Sequence, residues 1–133
     1  MSINITIPGK PCAWQRARSN GKVRFDSATQ KQNKANLAHF AGEAMGNTPP
    51  LEAPLTVRIV AIWPWPKSLT PKKRLSHHGF FTGRPDGDNV MKLVGDALND
   101  IVWRDDSQIV EHHVTKVYGD KPRTIISIVE VLS

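Results

Sequence analysis

The chain has 133 residues, 39% of them apolar, with one cysteine and a net charge of +6, values that suit one domain with one core and exclude an internal disulfide or a cysteine-rich zinc site. The charge is uneven: residues 1–84 hold thirteen Lys/Arg against three acids, a net +10, whereas residues 85–133 hold five against nine, a net −4. A basic body suggests a polyanion partner, nucleic acid first, with a solvated, solubilising surface as the bland alternative; acids gathered inside it should favour metal cations over phosphate.

In chain order, the opening "MSINITIPGK" lacks the basic start and apolar stretch of a signal peptide. No apolar run approaches the roughly 20 residues of a membrane span. Both features lead to the expectation of a soluble cytoplasmic protein without a membrane partner. "INITIPG" alternates and ends at Pro8-Gly9, a strand and a turn. Residues 10–26 carry Lys10, Arg16, Arg18, Lys22 and Arg24 around Ser19-Asn20-Gly21, which reads as a basic hairpin or flap, and Cys12 within it as a small, partly buried side chain. Ser27 opens a helix with Gln30 in a capping-box position, Leu37, Phe40, Ala41, Ala44 and Met45 on one face, and Gly46 at its close.

After the loop "NTPPLEAP", "LTVRIVAIWPW" reads as a central strand, its Trp63 and Trp65 in core or subunit contacts in preference to base stacking. "PKSLTPKKRLSHHG" suits a mobile basic loop, in which Lys72, Lys73 and Arg74 are candidates for phosphate contact. Val90, Leu93, Val94, Ala97, Leu98 and Ile101 follow helical spacing and predict a core-facing helix that Asp88 caps, with Asp88, Lys92 and Asp96 on its other side. "QIVEHHVTKVYG" and "PRTIISIVEVL" read as two strands, expected to form a hairpin around Gly119-Asp120 and to be covered on both faces. The order predicts a single α+β domain over residues 1–133, a mixed β-sheet with two main helices packed on it.

The stretch "RPDGDNVMKL", Arg84 to Leu93, concentrates acid in this basic chain: six of the twelve acids fall from Asp86 to Asp106. Asp-x-Asp alone signals little, since Asp-Gly is common in turns and Asp at helix starts. A calcium loop fails, because with Asp86 first the fifth and twelfth positions are Val90 and Ala97, and a sugar-nucleotide site suits so basic a chain poorly. Asp86 and Asp88 can converge at the positive end of the helix, which favours their ionised forms. Asp105-Asp106 can return to them only if the following strand runs back along the helix. Three oxygen ligands plus a substrate phosphate suit Mg²⁺. Zinc at His77-His78 or at His112-His113, whose members alternate to opposite faces, lacks supporting ligand spacing. His39 reads as a surface or packed polar residue.

The set Arg84-Pro85-Asp86-Gly87-Asp88-Asn89, Lys92, Asp96-Ala97-Leu98 and Trp103-Arg104-Asp105-Asp106-Ser107-Gln108 resembles the RusA family of Holliday junction resolvases, and "IPGKPCAWQRAR" extends the resemblance to nearly the whole chain. The resemblance implies a RusA-like homodimer that cuts four-way DNA junctions by paired symmetric nicks in recombination and repair. It implies Mg²⁺, with Mn²⁺ as a substitute, on Asp86, Asp88 and Asp106, with Asp105 as the alternative third ligand, and Lys92 as the catalytic lysine. Gly87 stands where a larger residue is common, and Asp100 where glycine is frequent. Lys92 would stabilise charge on the scissile phosphate, while Arg16, Arg18, Lys22, Arg24, Lys72, Lys73, Arg74 and Arg84 would hold DNA. Two alternatives stand beside this: a Mg²⁺ nuclease for forks or flaps, and a non-catalytic architectural protein that binds junctions.

Overall fold

A computed structural model describes residues 2–15, 18–19, 21, 24–25 and 27–131, with backbone alone at 18–19 and 24–25. Arg16 and Lys22 lie outside the described residues, and so do the side chains of Arg18 and Arg24. The elements are β1 (Ser2–Pro8), β2 (Arg18–Ser19), β3 (Arg24–Phe25), α1 (Ala28–Met45), β4 (Leu55–Pro64), α2 (Pro71–Arg74), α3 (Gly87–Ala97), a 3₁₀ turn (Asp106–Gln108), β5 (Ile109–Gly119) and β6 (Arg123–Glu130). β1, β6, β4 and β5 form one mixed sheet in that order, and β2 and β3 pair separately as the expected basic hairpin. α1 packs on β1 and on α3, and α3 packs along β5, so both long helices cover one face of the sheet. This is the α+β architecture with two main helices that the sequence predicts.

The core lies between those helices and the sheet. Leu55, Val57, Ile59, Ala61 and Trp63 of β4 alternate inward, against Ile126 and Ile128 of β6 and Leu93, Val94 and Leu98 from the α3 region. Each is nearly inaccessible, and burying a side chain of this size stabilises the fold by roughly 1.5–3 kcal/mol before entropy is counted. Trp103 is the largest fully buried side chain; its indole N–H donates to Asn99 Oδ1 at 3.0 Å, so its polar atom is satisfied inside the core.

The strand pairing differs from expectation. β5 and β6 do not form a hairpin: β4 lies between them, parallel to β5 and antiparallel to β6. β5 ends at Gly119 beside Pro64, and β6 begins at Arg123 beside Ile62 on the other side of β4. Two strand spacings are about 9–10 Å, and four Cα steps reach about 13 Å, so a link this short can cross the end of β4. The crossing requires close approach at Gly119, where a Cβ would stand 2.7 Å from Ile62 Cγ2. The most apolar strand thereby takes a central place, while β5, with Glu111, His112, His113 and Lys116, takes an edge suited to charge. β5 is correspondingly exposed over Val110–His113, and β6 buries only one alternation, which overturns the expectation that both strands are covered on both faces.

Other differences are local. Ser27 caps α1, its Oγ accepting from Gln30 N–H at 3.0 Å, but Gln30 does not close the box: it turns inward, is buried, and its Oε1 accepts from Gln15 N–H. Ala44 is exposed, while Leu37, Ala41 and Met45 are buried. Cys12 is exposed at the surface, with enough of its side chain covered that burial pushes the thiol pKa up. The basic loop contains a helical turn, α2, capped by Thr70, with Arg74 Nε donating to Leu69 O at 2.9 Å and the guanidinium over Trp65. α3 stops at Ala97, with Ile101 in the turn beyond it, because the chain reverses through Asp100 at φ 65°. That left-handed conformation is one glycine adopts freely, which accounts for the expected glycine there.

Candidate active site

The site is built by the approach to α3. Phe81 N–H donates to Lys116 O at 3.0 Å, and Lys116 Nζ donates to both Gly83 O and Pro85 O at 2.7 Å. The lysine of β5 thus fixes the loop, including the cis Arg84–Pro85 bond, immediately before Asp86. Asp86, not Asp88, is the N-cap residue; its side chain makes no capping bond, and its carbonyl accepts from Val90 N–H at 3.3 Å. Asp88 lies inside the first turn. The helix begins two residues earlier than a cap at Asp88 predicts, and its first residue, Gly87, lies against Val114 of β5, where a Cβ would stand 3.4 Å from Val114 Cγ1. Both carboxylates are exposed, and neither is bonded to a described residue. The helix terminus offers them its positive end without consuming them.

Lys92 follows one turn on, with its Nζ 3.6 Å from the centroid of the Trp14 ring. One turn later, Asp106 packs on α3 at Gly95: a Cβ on that glycine would stand 3.2 Å from Asp106 Oδ2. β5 does run back along α3, yet it brings Val114 to the helix start and leaves Asp106 beside Gly95. The seven residues from Asp88 to Gly95 amount to about 10 Å of helix. The acids therefore lie in two groups on either side of Lys92: Asp86 with Asp88, and Asp106 with Asp96. Among the described residues no three Asp, Glu, His or Cys side chains gather in a way that could hold a metal ion.

The motif "WRDDSQ" divides its work. Asp105 Oδ1 accepts from Ser107 N–H at 2.9 Å, and Gln108 Oε1 accepts from Asp105 N–H at 2.9 Å, a complete capping box for the 3₁₀ turn. Gln108 Nε2 donates to Leu51 O and Ala53 O, tying the turn to the loop before β4. Asp105 is thus occupied and exposed, whereas Asp106 faces α3. Burial raises the Asp106 carboxyl above the usual aspartate value, and the hydrogen bond and charge of Asp105 and the charge of Asp96 act the same way. Asp105 is held lower, first by the Ser107 N–H and then by its bond to Asp106. Like charges crowded in this manner are relieved by a cation or a shared proton.

The cations expected to meet DNA fall into groups. Lys72, Lys73 and Arg84 are exposed. Arg74 is partly committed to Leu69 and Trp65, and lies 3.8 Å from Asp120. Arg84 lines a hollow of about 510 Å³ with Lys10 and Lys67, walled by Trp65, Phe81 and Tyr118 and free of acids. Trp63 is in the core, stacked on Phe81, as expected, and Trp65 stacks on Tyr118. His77 and His78 accept from Gly79 and Phe80 N–H groups, and His112 opens toward Asp88 in a separate hollow. Sequence reasoning missed Trp14, Gly95 and Lys116. Only Gly95 left a signal, a glycine in mid-helix where alanine is about 1 kcal/mol better.

The endodeoxyribonuclease RusA family model matches residues 8–129, from the end of β1 almost to the end of β6. The chain is also 36% identical over 138 residues to the uncharacterized protein YqaN of Bacillus subtilis (strain 168), across 97% of this chain and 96% of that one. The chain belongs to the RusA endodeoxyribonuclease family. No helix among the described residues is long and apolar enough to cross a membrane.

Proposed function

We propose that the protein is a Mg²⁺-dependent endonuclease that resolves four-way DNA junctions by paired nicks, with Mn²⁺ able to replace Mg²⁺. The observation that carries this reading is the pair of exposed, unbonded carboxylates, Asp86 and Asp88, at the start of α3, with Lys92 one turn beyond. The donor set fits the ion: it is all oxygen, and Mg²⁺ is commonly bound by one or two carboxylates, with waters and substrate phosphate completing its shell. Asp86 and Asp88 would hold the ion directly, and Asp106, seated apart from them beside Gly95, would serve as the third acid, Asp105 being spent on its turn. When bound, Mg²⁺ polarises the phosphate and lowers the pKa of the attacking water.

The remaining chemistry belongs to the chain. Lys92 carries positive charge toward the phosphate oxygens, where negative charge grows as the phosphodiester is attacked. Arg84, Lys72 and Lys73 offset the repulsion between the acids and the DNA backbone, joined by the cations of the hairpin, Arg16, Arg18, Lys22 and Arg24. Arg74 contributes less, being tied to its own loop. A homodimer matches the near two-fold symmetry of a junction and presents two equivalent sites to it.

The test compares a four-way junction, a fork and a linear duplex at matched salt and Mg²⁺. Cleavage of the junction at symmetric positions, well above the other two, is expected. Equal rates on all three would reject resolution in favour of a broader nuclease, and binding without cleavage in any divalent metal would favour an architectural role.

A further inference from the structure

We propose that Trp14 is the positioning residue for Lys92: its ring holds the ammonium group beside the acids without neutralising it. The inference rests on the reading of Lys92 given above and extends it to a residue outside the acid motif. Lys92 lies four residues from Asp88 and four from Asp96, the spacing at which lysine and aspartate pair on a helix. It pairs with neither; its Nζ sits 3.6 Å from the centroid of the Trp14 ring. A π face attracts an ammonium through its quadrupole and carries no net charge. The lysine is thereby restrained, both neighbouring carboxylates stay free for a cation, and the positive charge stays available to a phosphate.

The main chain that carries the ring is fixed from two sides. The backbone N–H of Trp14 donates to Asn89 O at 2.8 Å, in the first turn of α3. Gln15 N–H donates to Gln30 Oε1 at 3.0 Å, and Gln15 Oε1 accepts from Ser27 Oγ at 3.0 Å. Ser27 and Gln30 are buried at the start of α1, so the segment is stitched to the first turns of both long helices. Trp14 is only partly buried and borders a hollow of about 580 Å³ together with Pro85, the residue before Asp86. From there its ring both packs against the edge of the core and reaches Lys92.

Two readouts test the proposal. In lysine-labelled protein, with Lys92 assigned by its disappearance in K92M, the Lys92 ε-protons should show an upfield ring-current shift that shrinks in W14F and vanishes in W14L. On a four-way junction, W14L should lower kcat about tenfold, a factor within the range of one cation–π contact, with KM changed less than about twofold, and W14F, a weaker π face, should recover only part of the loss. In the K92M background W14L should cost nothing further, since a residue acting only through Lys92 cannot act without it. An unshifted Lys92, or a loss that adds fully in the double variant, would overturn the proposal. Should W14L not fold, W14F decides: a reduced shift with unchanged kcat overturns it, and a reduced shift with reduced kcat supports it. K92M cleaving at the wild-type rate would overturn the role of Lys92 itself, and the wild-type shift separates that failure from failure of the contact.

Discussion

Asp86 and Asp88 are left unbonded at a helix start, and Gly95 makes room for Asp106, since a Cβ there would meet its Oδ2 at 3.2 Å. Gly95→Ala should therefore separate stability from activity. Alanine favours helix by about 1 kcal/mol, so the thermal midpoint should hold or rise, while displacement of Asp106 lowers junction cleavage on the order of tenfold. Thermal unfolding and single-turnover cleavage check this, and an unchanged cleavage rate would remove Asp106 from the reaction. The acid motif was legible in the sequence because spacing on a helix is local. The seating of Asp106 beside Gly95 was not, since it depends on where β5 crosses α3. Trp14 was not legible either: 78 residues separate it from Lys92, and no periodicity links them.

At the scale of elements, α1, β4 and α3 follow from hydrophobic periodicity and cap residues; α1 and β4 stand where the sequence predicts them, and α3 starts two residues earlier and stops before Ile101. The pairing of β5 and β6 does not, because a short Gly-containing link reads equally as a hairpin turn or as a crossing over one strand. What selects the crossing is the demand of β4 for a neighbour on both sides, a property of the whole sheet. The 3₁₀ turn is a second element whose worth is local and measurable. Asp105→Ala removes its capping box and should cost about 1 kcal/mol, seen as a lower urea midpoint with unchanged m-value. Junction cleavage should fall less than in Asp106→Asn, because Asp105 holds the turn and Asp106 faces α3. A greater loss in Asp105→Ala would reverse those roles.

For the whole molecule, the proposed function assigns the holding of DNA to the basic body and its cutting to the acid-bearing segment. Binding should weaken linearly in log[salt], and Lys72→Ala with Lys73→Ala should reduce the slope by roughly 1–2, about 0.9 for each phosphate that is no longer neutralised. Arg74→Ala should change stability more than the slope, given its interactions with Leu69 and Trp65. Fluorescence titrations over a range of salt distinguish the two, and an unchanged slope in the double lysine variant would place the DNA elsewhere. The charge asymmetry was visible in the sequence, but not which cations are free, since Lys116 is taken up by the loop before α3 and Arg74 by its own loop.

The most direct test of a metal-dependent cut at the start of α3 is junction binding and Mg²⁺-dependent cleavage by Asp88→Asn, measured side by side with the wild type. Asparagine keeps the shape and removes the charge. The expected result is binding as tight as wild type or tighter, because a charge that repels phosphate is gone, with cleavage reduced at least about a hundredfold. Cleavage at the wild-type rate with intact binding would contradict the assignment of Asp86 and Asp88 as the acids that carry the reaction.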